Sequence, residues 1–124
     1  MKYIRTKAKI YEVESKFLDN EGKWVGYNIV GNDMALILRI QVIKQADTIE
    51  ELCDGYVFVS KSGETHYVYF KLYDMGVCLG SRIENDEIFR NHLLENGTIY
   101  GAIWTDKGLI YVAKMNDKGK LKLL

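Results

Sequence analysis

The sequence contains no proline and only two cysteines among its 124 residues. Without proline, the chain offers neither a stiff linker nor a proline-rich ligand segment. Cys53 and Cys78 do not form a Cys-x-x-Cys pair, and two cysteines do not make a disulfide framework. We therefore expect both thiols to be buried and reduced.

An excess of charge of either sign is also absent, because 17 lysines and arginines balance 17 aspartates and glutamates. Proteins that bind nucleic-acid duplexes or anionic membranes normally attract them with a positive excess. No apolar run approaches the roughly 20 residues that span a bilayer, and the first residues do not form a signal-peptide core. We therefore expect a cytoplasmic protein with no membrane partner and no nucleic-acid polymer as partner.

Short strand-like runs separated by turns make up most of the chain. Residues 3–6 and 9–14 suggest one interrupted strand, and the run 34–43, which has a single charge, suggests a central strand. Hairpins are predicted within residues 56–72 and 98–115, each across a turn that contains glycine. Most of the sheet should therefore be antiparallel.

Residues 48–54 carry the pattern of a short helix. Asp47 is placed to accept a backbone N–H of the first turn, and Glu50 can reach back toward it. The apolar positions recur at i, i+3 and i+4, as on the buried face of a helix: Ile49, Leu52 and Cys53. Because so short a helix cannot stand alone, it should pack as a clip on the sheet.

A longer helix is predicted at residues 86–95, with a start at Asp86 and a left-handed stop at Gly97. Four residues should form its inner face: Ile88, Phe89, His92 and Leu93. The length of the chain suits one hydrophobic core. The sequence therefore predicts an α+β fold, a single domain over residues 1–124 with a mostly antiparallel sheet and two helices.

Signatures of catalysis are missing from the sequence. It contains no nucleophile elbow, phosphate-binding loop, His-Glu-x-x-His motif or dinucleotide fingerprint. The two histidines, His66 and His92, have no acidic or cysteine neighbour at the spacing of a metal site. We expect His92 to be a hydrogen-bonded core residue, and the protein to be no enzyme and to need no cofactor or metal.

The segment 82–104 gathers groups that could bind a small anionic nucleotide. Six residues offer phosphate-binding, stacking or hydrogen-bonding groups: Arg82, Phe89, Arg90, Asn91, Tyr100 and Trp104. The arginines would meet a diphosphate, an aromatic ring would stack on the base, and the amide would bind a base edge or a ribose hydroxyl. The alternative, in which Phe89 and Trp104 belong to the core and the arginines are solvated, stays open.

The run 43–54, together with Ile4-Arg5-Thr6-Lys7 and Ile10-Tyr11-Glu12-Val13, resembles small proteins encoded in phages and prophages of Gram-positive bacteria. In length and layout the chain is similar to the phage anti-Thoeris sponge proteins, which bind cyclic ADP-ribose isomers made by bacterial defence enzymes and hold them without cleavage. The resemblance implies nucleotide pockets at the subunit interfaces of a homo-oligomer in the host cytoplasm.

Two other functions stay open at this point. The chain could inhibit a host defence effector by direct protein–protein binding, through exposed tyrosines and the hairpin at 56–72. It could also be a small enzyme that degrades a nucleotide. Nine tyrosines and a modest core favour a homodimer or a higher homo-oligomer in either case.

Overall fold

The computed structural model describes residues 2–31, 36–70 and 83–124. The described residues form an α+β fold of antiparallel sheets, which confirms the predicted fold class. The sequence predicted one domain over residues 1–124. The described residues group into two compact units, Met1–Leu52 and Cys53–Leu124. No helix among them is long and apolar enough to cross a membrane.

The first unit is a five-stranded sheet in the order β4-β3-β2-β1-β5. Its elements are β1 (Tyr3–Arg5), β2 (Ile10–Leu18), β3 (Trp24–Ile29), β4 (Leu36–Leu38), a 3₁₀ helix (Arg39–Gln41) and β5 (Lys44–Ala46). Ile4, Tyr27 and Ile29 form a buried cluster on this sheet. The cluster anchors the middle strands, so the edge strands carry the more exposed side chains.

The first two strands form a hairpin, so the prediction of one interrupted strand is wrong. Thr6 causes the reversal, because its hydroxyl accepts the backbone N–H groups of Ala8 and Lys9 at 3.2 Å each. The Thr6 N–H also donates to the carbonyl of Lys9 at 2.9 Å. A side-chain turn of this kind leaves little trace in the pattern of apolar residues.

The run 34–43 does not form a central strand. Its described part begins with β4 at one edge of the sheet, continues through the 3₁₀ helix and leads to β5 at the opposite edge. The side chain of Gln41 accepts the N–H of Leu38 at 2.9 Å, and the N–H of Ile43 donates to the backbone carbonyl of Arg5 at 2.8 Å. Strand β4 therefore ends at Leu38, because Gln41 folds back on that residue and the backbone of Ile43 pairs with β1.

Residues 48–54 form a turn rather than the predicted helix. Within this turn the hydroxyl of Thr48 accepts the N–H of Glu51 at 3.3 Å. The N–H of Asp54, which a helix would use internally, donates instead to the carbonyl of Ala102 at 2.9 Å. The backbone N–H of Asp54 is therefore used in a pairing with Ala102 and not in a helix.

The second unit contains another five-stranded sheet, in the order β10-β9-β8-β6-β7. Its elements are β6 (Gly55–Ser60), β7 (Thr65–Phe70), α1 (Glu87–Asn96), β8 (Gly97–Thr105), β9 (Gly108–Met115) and β10 (Leu121–Leu123). Strands β6 and β7 form one predicted hairpin, and β8 and β9 form the other. Both hairpin predictions are confirmed for the described residues.

Helix α1 matches its prediction to within one residue at each end. Asp86 caps it by accepting the N–H of Phe89 at 3.1 Å. Gly97 is extended rather than left-handed, with φ of 170°. A β-carbon at this position would overlap the carbonyl oxygen of Val59 and the ring of Phe58, so close packing and not backbone conformation requires this glycine.

The inner face of α1 differs from the predicted one. Ile88 is 85% exposed and His92 is exposed, so neither belongs to the core. The half-buried residues are Phe89, Arg90, Leu93 and Leu94. The buried stripe is thus rotated by about one residue, and it includes an arginine that the apolar pattern had placed outside.

The core of the second unit lies around the middle strands of its sheet. Its most buried side chains include Tyr56, Val57, Ile83, Ile99 and Ile103. Cys53 is 3% exposed, as predicted, and lies beside β8. A β-carbon on Gly101 would come within 2.7 Å of the sulfur of Cys53, so this glycine allows the thiol to pack directly on the strand.

Candidate functional site

The structure places five of the six predicted site residues, while Arg82 lies outside the described residues. Phe89, Arg90 and Asn91 are on α1, and Tyr100 and Trp104 are on β8. The two sets are therefore carried by different elements.

Arg90 is committed to the backbone of its own unit. Its Nη1 donates to the carbonyl of Ile83 at 3.1 Å and lies 3.5 Å from that of Glu84. Its Nε is buried and has no hydrogen-bond partner among the described residues. The guanidinium also occupies the place where a β-carbon of Gly119 would lie. These contacts give Arg90 a structural role that the sequence did not reveal.

The other placed residues have diverse environments. Phe89 is half-buried and Asn91 is exposed. Tyr100 stacks on Tyr111, with ring centroids 4.8 Å apart and ring planes 16° apart. Trp104 is partly exposed, and its backbone N–H donates to the carboxylate of Asp54 at 2.8 Å. The aromatic pair stabilises the sheet and leaves part of Tyr111 accessible to solvent.

The exposed His92 is not the core histidine that the sequence predicted. His66 stacks on Phe58 at 6.0 Å between ring centroids and lies 3.7 Å from the carboxylate of Glu64. In the described part of the chain, no group of three or more histidine, cysteine, aspartate or glutamate residues could hold a metal ion.

A cleft in the first unit combines aromatic and cationic side chains. It has a volume of about 380 Å³, and its lining residues are Trp24, Tyr27, Arg39, Val42, Ile43, Lys44 and Gln45. The lining contains two cations and no carboxylate. We take this cleft, which the sequence did not predict, as the candidate binding site.

The ring of Trp24 is fixed by its neighbours. Its Nε1–H donates to the carbonyl of Gly26 at 2.8 Å, and the ring meets Tyr27 edge to face with centroids 5.4 Å apart. Gly26 also lets β4 approach β3 closely, since a β-carbon there would lie 2.6 Å from the carbonyl oxygen of Ile37. The hydrogen bond to Gly26 and the edge-to-face contact with Tyr27 hold the aromatic wall of the cleft in place.

Two cations lie over the indole of Trp24. The guanidinium carbon of Arg39 is 4.0 Å from the ring centroid, and the Nζ of Lys16 is 4.2 Å from it. Lys16 belongs to β2 and Arg39 follows β4, and these strands flank β3 in the sheet. The Nη1 of Arg39 also donates to the backbone carbonyl of Trp24 at 3.2 Å. One tryptophan thus contacts a cation from β2 and a cation from the 3₁₀ helix that follows β4.

The lining of the cleft also carries further polar groups. The hydroxyl of Tyr27 lies 3.4 Å from the side-chain oxygen of Gln45, and Tyr27 itself is only 3% exposed. The Nζ of Lys44 donates to the carbonyl of Glu51 at 3.1 Å. An anion with an attached ring or sugar would meet charge, hydrogen-bonding groups and apolar surface in one place.

One sequence signal bears on this cleft. Arg39 is the only charge in the apolar run 34–43. A single charge in such a run is unusual because burial of an unpaired charge is costly. The sequence could therefore have marked Arg39, although its partner Trp24 follows only from the strand order.

Comparisons with protein-family models, curated proteins and solved structures found no match to this chain.

Proposed function

We propose that this is a phage anti-defence protein that binds a cyclic ADP-ribose isomer and sequesters it without cleavage, which would block Thoeris-type immunity. The observation that carries the proposal is the cleft of the first unit, where Arg39 and Lys44 line a surface that contains aromatic rings and no carboxylate. The resemblance of the sequence to phage sponge proteins names the ligand class.

The size and chemistry of the cleft suit a nucleotide. Its volume of about 380 Å³ lies within the range of roughly 300–1,000 Å³ that is typical of small-molecule sites. The cations match phosphates, while the exposed side-chain amide of Gln45 offers hydrogen bonds to a sugar or a base. Sequestration needs only tight binding and slow release, with no nucleophile or metal.

The proposed place of action is the host cytoplasm, where the defence signal is made. We further propose that the protein is a homodimer or a higher homo-oligomer. Size-exclusion chromatography coupled to light scattering tests this part, and a monomeric mass would contradict it.

Calorimetry with cyclic ADP-ribose isomers tests the function directly. The wild-type protein should release or take up heat on binding, and an Arg39→Gln/Lys44→Gln variant should bind at least about tenfold more weakly. Asn91→Ala is the matched control on the surface predicted from sequence, and it should bind as the wild type does. Folded wild-type protein that shows no heat with any isomer would refute the proposal.

Recovery of the ligand separates a sponge from an enzyme. The complex is heated to denature the protein, and the released ligand is analysed by mass spectrometry. Sequestration predicts an unchanged cyclic ligand after long incubation. A linear or cleaved product would instead support the alternative of a nucleotide-degrading enzyme.

A second candidate function is direct inhibition of a host defence effector. Exposed apolar side chains near the cleft favour it, since Ile40 is 89% exposed and Leu36, Leu38 and Ile43 are also exposed. Inhibition of a purified effector that is lost on Ile40→Asp would support this function. Retention of nucleotide binding by the same variant would show that the two surfaces act separately.

A further inference from the structure

We infer that the cleft recognises its ligand through a phosphate held between Arg39 and Lys44, and that Trp24 positions Arg39 instead of stacking on the base. The inference rests on the proposed function, because it assigns the part of the nucleotide that the cleft binds. It differs from the pattern expected for aromatic nucleotide sites, in which a ring stacks on the base.

Arg39 is held in a fixed position. This exposed side chain is held over the ring of Trp24 and by the backbone carbonyl of the same residue. Ordering a long side chain costs conformational entropy, and Arg39 is already ordered by Trp24 before any ligand binds. The carbonyl of Trp24 is its only hydrogen-bond acceptor among the described residues, so most of the five guanidinium N–H groups stay available to a phosphate.

Cations already occupy the surface of the Trp24 ring. Both Arg39 and Lys16 lie about 4 Å from the centroid of Trp24. A base would have to displace a cation in order to stack there, whereas a phosphate would be attracted by both. The ring therefore serves as a support for charge and not as the contact for adenine.

The cations at and beside the cleft also favour an anion electrostatically. Lys16, Arg39 and Lys44 have no ion pair with a carboxylate among the described residues. Arg39 shares the ring of Trp24 with Lys16 and lines the cleft with Lys44. Like charges near one another repel, and a bound anion would reduce this repulsion. Lys44 donates to the carbonyl of Glu51, which leaves two of its three ammonium N–H groups for a second phosphate oxygen.

Inorganic pyrophosphate and adenosine are the probes that separate the two parts of the ligand. In a Trp104→Phe background Trp24 is the only tryptophan, so its emission reports the contact with Arg39. Pyrophosphate should bind, change this emission and compete with a cyclic ADP-ribose isomer. Adenosine should do none of these.

Variants test the two roles. Arg39→Lys keeps the charge and removes the planar fork, so pyrophosphate should bind about tenfold more weakly. Trp24→Leu should weaken binding to a similar extent, and Trp24→Phe should restore part of it. Lys9→Gln is the matched control, because Lys9 also lies over an aromatic ring, that of Tyr11 at 5.5 Å, but does not line the cleft.

If Trp24 acts by positioning Arg39, one result is expected that a purely structural role of Trp24 would not give. In an Arg39→Gln background, Trp24→Leu should cause no further loss of pyrophosphate affinity, because its effect acts through the guanidinium. An equal loss in both backgrounds would overturn the positioning role. The Trp24→Phe variant gives the same comparison if Trp24→Leu does not fold.

The outcomes distinguish the inference from the proposed function. If a cyclic ADP-ribose isomer binds but pyrophosphate does not compete, the phosphate inference is overturned and the function stands. If pyrophosphate binds and depends on Arg39 but no nucleotide binds, the phosphate site stands and the proposed function fails. Binding of adenosine that depends on Trp24 would overturn the inference in favour of base stacking.

Discussion

Arg5 and Lys44 face each other across the β1–β5 ladder, and both donate to carbonyls of the same turn. The Nη1 of Arg5 binds the carbonyl of Leu52 at 3.1 Å, and the Nζ of Lys44 binds that of Glu51 at 3.1 Å. Two like charges are thus placed side by side by backbone acceptors at the carbonyl end of the turn. Since Lys44 also lines the cleft, this turn helps to position a residue of the candidate site.

Loss of Arg5 should destabilise the protein more than loss of Lys44. Arg5→Met leaves the carbonyl of Leu52 without its half-buried donor, and the free energy of unfolding should fall by about 2 kcal/mol. Lys44→Met removes an exposed donor and should cost less than about 1 kcal/mol. Urea denaturation measures both values. Equal losses would contradict the structural weight given to Arg5.

Gly26→Ala should disrupt the cleft as well as the sheet. Its β-carbon would meet the carbonyl oxygen of Ile37 at 2.6 Å, so β4 would have to move and Arg39 would move with it. We expect a loss of about 3 kcal/mol in unfolding free energy, together with weaker ligand binding.

Gly22→Ala is the control within the same unit. Gly22 has φ of 82° and no atom within 4 Å of the added carbon, so only backbone strain of about 1 kcal/mol should result. Thermal unfolding and calorimetry compare the two variants. A Gly22→Ala variant with the larger loss would contradict the steric account.

Arg90 and Gly119 should be energetically coupled. An added β-carbon at Gly119 would displace the guanidinium of Arg90 from the carbonyl of Ile83. Gly119→Ala should therefore cost more in the wild type than in an Arg90→Ala background, with a coupling energy of about 1 kcal/mol. A double-mutant cycle by urea denaturation measures this quantity. Strict additivity would show that Arg90 relocates without loss.

The cap of α1 gives a test of the helix start. Asp86→Ala removes the acceptor of the Phe89 N–H and should lower the unfolding free energy by about 1 kcal/mol. Asp86→Ser retains a capping oxygen and should be nearly neutral. Denaturation curves of the two variants provide the measurement, and equal destabilisation would argue against the cap.

Elements set by nearby residues could be predicted from the sequence. The hairpins β6–β7 and β8–β9 and the start of α1 follow from glycine-containing turns and from Asp86. The turn at 48–54 could not be predicted in the same way. The carbonyl of Leu52 accepts from Arg5, 47 residues earlier in the chain, and the N–H of Asp54 donates to the carbonyl of Ala102. These distant partners outweigh the local helix pattern.

The candidate site was harder to predict than the fold. Arg90 carries groups suitable for a phosphate, yet its burial on α1 and its bond to Ile83 became visible only in three dimensions. Trp24 and Arg39 are 15 residues apart, and they meet because β4 pairs with β3 and the chain then turns in a 3₁₀ helix. The sequence therefore showed which arginine and aromatic side chains are available but could not assign their neighbours.

The contact between Cys53 and Gly101 gives the second unit a natural probe of local opening. Because the thiol packs directly on β8, a thiol-specific reagent can reach it only when that packing separates. In a Cys78→Ser variant, the labelling rate of Cys53 would report how often this part of the sheet opens under native conditions. Cys53 is thus a built-in reporter of local opening in the native state. A ligand that rigidifies the second unit would slow the labelling of this thiol.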